Sequence, residues 1–340
     1  MYAARALPAL LVMTVFSNWL DRPPRRAALV TLSLLGGLTV AAPAATPTTT
    51  AAIAAAAVLG AIRTAHQSTE AALIAESVDQ SLRLGLYGLA GAIDQASQTA
   101  GLLAGSIISL VISTRVALWA DVVSFVLAAL IFASLPTSKR IARGHRPARS
   151  EGLRIIWREP TLQALILLVW ASALNGPMPE VLAPDLAHGM WLPAVMAASP
   201  AGGMVFMFVV GRSQMLSSVD NQIRVVYGLG ASLLLGAVVL VAQLPVLFLV
   251  VANAAIGAGF GWVFGAQATF ARLVPKERMG QVEGTVVSSN ILVRGIGTFL
   301  IGVIVHFTHP SVAYLVGGLA VIGGTILVGR RRGTEMSTTD

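Results

Sequence analysis

Val225 to Ala268 reads VVYGLGASLLLGAVVLVAQLPVLFLVVANAAIGAGFGWVFGAQA, a run without a single Asp, Glu, Lys or Arg, broken only by the turn-forming AQLP at 242–245. An α-helix rises 1.5 Å per residue, so ~20 mostly apolar residues cross the hydrocarbon of a bilayer. The run therefore holds two crossings back to back. Working outward, further apolar spans fall at about Ala6 to Leu20, Ala27 to Ala42, Ala51 to Ala75, Leu86 to Ser113, Val116 to Leu135, Thr161 to Leu186, Met190 to Val210, Val282 to Phe307 and Pro310 to Val328. With Val225 to Val241 and Val246 to Ala268 the expectation is about eleven transmembrane helices in an all-α integral membrane protein.

Composition agrees. The 340 residues are 56% hydrophobic and 11% charged, against about 25% charged for an ordinary soluble domain, and the mean hydropathy is +0.78. The formal charge of +8 is spread in short clusters between apolar runs. No basic face exists of the kind nucleic acid requires, which sets that class of partner aside. With no cysteine, disulfides, thiol catalysis and cysteine metal sites are excluded. The first apolar run lacks a small-residue cleavage site before Asp21 and reads as a retained helix, not a leader.

Orientation follows from the basic loops, which collect on the cytoplasmic side. Arg22, Arg25 and Arg26; Arg83; the 136–160 connection; Arg212 and Arg224; Arg272, Lys276 and Arg278; and Arg330, Arg331 and Arg332 fall on alternate connections. The intervening loops are nearly uncharged, apart from Arg115, Glu180 and Asp185. This predicts an outside N-terminus and a cytoplasmic C-terminus. Residues 136–160 hold seven of the 23 basic residues and read as a cytoplasmic linker, with a short surface helix over Glu151 to Trp157. The expected organisation is an N-terminal half of five helices over 1–135, the linker, a C-terminal half of six helices over 161–330, and a tail over 331–340. Ala75, Val78 and Gly88 recur as Ala271, Val274 and Gly284, each displaced by 196 residues, an echo of the internal repeats from which many carriers are built.

Three stretches carry a family resemblance. NWLDRPPRR at 18–26 resembles the loop between the second and third helices of major facilitator superfamily carriers, Gly-x-x-x-Asp-Arg-x-Gly-Arg-Arg. Asp21, Arg22, Arg25 and Arg26 match, whereas Ser17 and Pro24 stand where glycines are usual. RLVPKERMGQVEG at 272–284, with Lys276, Glu277 and Arg278, resembles the connection before the eleventh helix in the drug and siderophore exporter branch, the enterobactin-exporter-like carriers. Asp121, Ser124 and Phe125 in ADVVSF resemble that branch's sixth helix. The resemblance implies a two-half helical bundle around a central cavity, with a cytoplasmic gate at Asp21, Arg22, Arg25 and Arg26. A carboxylate beside guanidinium groups pairs across the cytoplasmic face and holds one closed state, against the plainer reading of a positive-inside anchor. On this alignment the chain starts inside the family's second helix; a misassigned start or a fragment is expected, against a genuinely shortened carrier.

An ionised side chain in a span costs ~2.5–3.5 kcal/mol on insertion scales and calls for a partner or a wet cavity. Arg63, His66, Gln67 and Glu70 share one helical face and resemble the family's fourth-helix motif Arg-x-x-Gln-Gly, well at Arg63 and poorly beyond it. Arg63 either tunes a carboxylate or holds an anionic group, or pairs structurally with Glu70. Asp94, Gln98, Gly101 and Gly105 recur at steps of four, three and four. They form either a proton-carrying face centred on Asp94 or a helix-packing seam. The stretch resembles the antiporter motif of the fifth helix without its Gly-Pro. Glu283, Asn290, Arg294 and Gly297 share a stripe, and Arg294 is the second-half candidate for anion binding or a salt bridge. Asn175, Gly176, Pro177 and Pro179 predict a helix break or kink. Gly257, Gly259, Gly261 and Gly265 follow no strand and predict a packing face, not a nucleotide loop. His306 and His309 read as interfacial.

No Walker sequence, metal-binding or nucleophile motif is present, so the expectation is a non-enzymatic carrier without cofactor or metal. Through the resemblance it is a monomeric multi-pass protein of the plasma or inner membrane, a secondary active antiporter exporting multidrug-type amphipathic molecules or siderophores by alternating access. Its partners are then a small-molecule substrate, protons and the lipid bilayer. The alternative is a truncated, non-transporting membrane protein.

Overall fold

The computed structural model describes residues 24–77, 80–135, 150–210, 214–274 and 278–336. Among these, every regular element is helical: α1 Arg25–Ala45, α2 Thr49–Ser77, α3 Gln80–Val111, α4 Thr114–Ser134, α5 Ser150–Ile156, α6 Pro160–Asn175, α7 Met178–Leu186, α8 Trp191–Val210, α9 Val219–Val241, α10 Val246–Phe260, α11 Trp262–Leu273, α12 Met279–Phe307 and α13 Pro310–Met336, with a 3₁₀ turn at Gln214–Ser217. Eight helices or helix pairs among the described residues are long and apolar enough to cross a membrane. The expected first span lies outside the described residues. Over its described part α2 counts only as a shorter apolar helix, Thr49–Arg63. The 32-residue α3, ~48 Å long at 1.5 Å per residue, carries Asp94, Gln95 and Gln98 in its middle and is not one of the eight.

The outward faces show which solvent the protein is built for. Trp119, Val123, Val126, Leu127, Leu130 and Ile131 of α4 are all exposed, as are Leu34, Leu35 and Leu38 of α1. Between its ends, and apart from Asp121 and Ser124, the outer surface of α4 is apolar, and a surface of that kind belongs in lipid, because in water it is an aggregation site. Arg115, in the first turn of α4, donates from Nε to the carbonyl of Ala44 at 3.0 Å. A guanidinium at the C-terminus of α1 satisfies one of the carbonyls a helix end leaves open.

The chain divides into two compact units. The first comprises Met1–Tyr87 and Ala104–Arg146, the second Gly88–Leu103 and Pro147–Asp340. The middle of α3 thus groups with the C-terminal helices, whereas sequence reading put the whole of 1–135 in one half. In the first unit α1 packs on α2 and α4. Phe125 of α4 is the key of that packing, for a Cβ at Gly36 would lie 2.5 Å from its ring. Only glycine leaves room for the aromatic edge.

In the second unit α6 supplies the centre, with Leu162, Leu165, Ile166, Leu168 and Val169 all buried. Around it α8 packs on α10, α9 on α13, and α12 and α13 on α6. The glycines of the opening stretch act as predicted. A Cβ at Gly257 would collide with the backbone of Ser199, one at Gly259 would lie 2.8 Å from the Leu229 side chain, and one at Gly265 would lie 2.8 Å from Leu216. A Cβ at Gly261 would run into the ring of Phe206. The turn between the two crossings closes through Gln243 at φ 51°, with Leu244 N–H donating to the Val239 carbonyl at 3.0 Å, the six-to-one bond that ends many helices.

Two edges differ from expectation. α13 continues to Met336, so the expected tail over 331–340 is helical through most of its length. α5 lies within the expected linker, yet it packs against α12 and its Ile156 is fully buried, because an apolar residue at a helix end gains more from that core than from headgroups.

Candidate transport-pathway residues

In the first unit the candidates cluster on α2. His66 Nδ1 lies 3.9 Å from Glu70 Oε2, one helical turn on, and its ring meets Phe132 of α4 edge to face, centroids 5.2 Å apart. Glu70 thus lies beside His66, which the sequence placed on the same helical face. Arg63 lies on the same helix and is exposed, while the Gln67 side chain lies outside the described residues. A carboxylate, an imidazole and a guanidinium within two turns form a set able to hold or exchange a proton. Arg25 is buried and Arg26 half-buried at the start of α1, and Asp21 and Arg22 lie outside the described residues.

In the second unit the central part of α3 presents Asp94. Gln98 Nε2 donates to Asp94 Oδ2 at 2.7 Å and, more weakly, to Gln95 Oε1 at 3.4 Å. Residues three and four apart on a helix share a face, which is why one amide reaches both. Among the described residues, nothing lies within 4 Å of a Cβ placed at Gly101 or Gly105.

The predicted break is present: α6 stops at Asn175 and α7 begins at Met178. Pro177 and Pro179 lack the N–H that would continue the helical ladder, and each ring crowds the preceding turn. Arg294 of α12 lies at this break, its Nε 3.6 Å from the Cβ position of Gly176, and Phe260 approaches the same point at 3.6 Å. Phe260 ends α10, where a second interruption at Gly261 hands the chain to α11. The cation therefore lies at the negative end of α6, where the Ala173 carbonyl accepts from the Gly176 N–H at 3.2 Å and the Ala171 carbonyl from Asn175 Nδ2 at 3.0 Å. α12 comes this close because Gly297 rests against the Leu174 carbonyl. Asn290 is half-buried one turn earlier on α12, and Arg278, exposed, precedes that helix; Lys276 and Glu277 lie outside the described residues.

Other polar groups of this unit escaped sequence reading. Tyr314 donates its hydroxyl to Asn253 Oδ1 at 2.9 Å, and Asn253 Nδ2 reaches the Val195 carbonyl at 3.5 Å. Trp262 Nε1 donates to Ser172 Oγ at 3.2 Å, and Trp170 Nε1 to Ser289 Oγ at 2.9 Å. Gln222 donates to the Leu216 carbonyl and to Thr269 Oγ1. Asn253 alone carried a usable signal, as a lone amide within an apolar run. No group of three or more His, Asp or Glu able to hold a metal occurs among the described residues.

The sequence family described as the Major Facilitator Superfamily matches residues 1–271. No curated protein matches the chain in sequence. Among solved structures, the fucose:proton symporter of E. coli is similar in fold, with a TM-score of 0.59 at 14% identity over 96% of this chain and 87% of that one.

Proposed function

The chain belongs to the major facilitator superfamily, and from that premise we propose that it is a secondary transporter exporting small amphipathic molecules, siderophores among them, in exchange for protons. Membership makes it a multi-pass membrane transporter and not an enzyme. Direction, coupling ion and substrate class are our reading, taken from the exporter-like stretches at 120–125 and 272–284 and from the intramembrane ionisable residues. The solved structure of similar fold is named a proton symporter, which favours protons as the coupling ion.

The observation that carries the reading is Asp94. It lies about halfway along a helix of membrane-spanning length, held by the Gln98 amide at 2.7 Å. A carboxylate at that depth is retained at an energetic cost only where it does work, because lipid offers it neither water nor counterion. Taking up and releasing a proton there alternates a charged and a neutral state, and the neutral one crosses the occluded form of a carrier more cheaply. Arg294, at the broken helix, supplies the complementary cation for a substrate's anionic group. Asp21, Arg22, Arg25 and Arg26 form the cytoplasmic gate, with the N-terminus outside and the C-terminus in the cytoplasm.

The test is efflux of ethidium and a panel of amphipathic dyes from cells expressing the chain, alongside the variants Asp94→Asn and Arg294→Ala. Each variant is expected to abolish efflux at unchanged membrane level. Undiminished efflux in both removes these residues from the mechanism, and uptake driven by an inward proton gradient in proteoliposomes reverses the assigned direction.

A further inference from the structure

The polar contact made by Asp94 does not end at Gln98. The Gln98 amide is shared between Asp94 Oδ2 and Gln95 Oε1. The other end of the Gln95 amide leaves the helix: its Nε2 lies 2.6 Å from where a Cβ would stand at Gly203 of α8. Gly203 is confined from behind as well, its Cβ position 3.3 Å from the Gly257 carbonyl of α10. A side chain at this position would push the Gln95 amide aside and press on the Gly257 carbonyl. The Thr99 hydroxyl donates to the Gln95 carbonyl at 2.8 Å and steadies the turn that aims this side chain.

We propose that Gln95 is a positioning residue for Asp94, linking that carboxylate through Gln98 to the contact of α3 with Gly203. The proposal rests on the reading of Asp94 as the proton site and extends it to how the charge is sensed. While Asp94 is ionised, Gln98 is held as its donor and keeps Gln95 seated over Gly203. Once Asp94 takes a proton, its demand on that donor falls, because hydrogen bonds to an ionised acceptor are about twice as strong as neutral ones. The Gln98 amide is then free to turn and the α3–α8 contact loosens. α8, Trp191–Val210, and α10, Val246–Phe260, contain no titratable side chain, and Asp94 is the only one between Leu89 and Val111 on α3.

A thermal-unfolding cycle on the purified full chain at neutral pH tests the linkage. It compares wild type, Asp94→Asn, Gln95→Leu and the double variant, then repeats the four in a Gln98→Leu background. The two single shifts in Tm are expected to fail to add by about 2–4 °C, and the discrepancy should vanish with Gln98→Leu. Additive shifts in the first cycle, or a discrepancy that survives Gln98→Leu, overturn the proposal. Should Gln95→Leu not fold, Gly203→Ala carries the test: its loss of Tm is expected to be recovered in part by Gln95→Ala, and no recovery is equally fatal. Ethidium efflux from proteoliposomes adds a readout that simple packing would not move. Gln95→Leu, with Asp94 in place, should shift its pH profile, and an unshifted profile overturns the linkage. If no variant moves ethidium, the transport reading fails, and the unfolding cycle still decides the linkage.

Discussion

Replacing Tyr314 with Phe removes one oxygen atom from the middle of the second unit. Tyr314 and Asn253 are both fully buried, and the lost hydroxyl is the donor to Asn253 Oδ1 at 2.9 Å. Asn253 Nδ2 keeps only its long contact to the Val195 carbonyl at 3.5 Å, so the amide cannot turn to find another donor without giving that up. A buried acceptor left unsatisfied costs ~1–3 kcal/mol, while coupling between helices in membrane proteins averages about 0.6 kcal/mol and reaches ~1.7. The low end is therefore expected, about 1–2 kcal/mol, or a fall in Tm of roughly 2–6 °C. Tyr314→Phe keeps the ring that lies against Gly236, where a Cβ would be 2.7 Å from Cδ1, so packing is unchanged and the hydrogen bond alone is read. The assay is thermal unfolding of the detergent-purified protein, with Asn253→Leu as the partner variant. The double variant should be no worse than the poorer single one, because no orphaned acceptor remains. A Tyr314→Phe protein that melts with wild type refutes the bonded pair, as does full additivity.

Because the chain contains no cysteine, single cysteines report solvent directly. A membrane-impermeant maleimide is expected to label Gln98→Cys in membranes and to leave Leu130→Cys unlabelled, although Leu130 is the more exposed position within the protein; equal labelling of both refutes the lipid-facing assignment of α4. Gly257→Val should abolish expression of folded protein, because its side chain meets the Ser199 backbone across the α8–α10 crossing, and normal gel-filtration behaviour of that variant would contradict the crossing. Arg115→Gln, which removes the charge-assisted bond to Ala44, should lower Tm by about 2–4 °C, corresponding to roughly 1 kcal/mol for a capped helix end; an unchanged Tm would make the contact incidental.

What reached the sequence reading did so because lipid imposes a strong one-dimensional rule: every crossing must be a helix, and every helix must be apolar over its length. That rule found α4 and the pair α9–α10 without any tertiary information. The break at Asn175–Pro177 was equally legible, since proline removes a donor wherever it stands, and the Gly257 to Gly265 seam followed from spacing. Asp94, Arg63 and Arg294 were found because charge in an apolar run is conspicuous.

Partnership is another matter, because it depends on which faces meet in space. Local spacing offered Arg63 as a partner for Glu70, and the helix and Phe132 also bring His66 beside that carboxylate. The same limit hid Tyr314 and Asn253, 61 residues apart, and Gln95, an unremarkable amide until Gly203 is brought against it. The amino-acid order by itself determined the solvent and the helices, since partition into lipid is a property of each segment alone. Only the tertiary structure decided what each polar group touches, and which glycines are indispensable, because both depend on contacts between segments far apart in the chain.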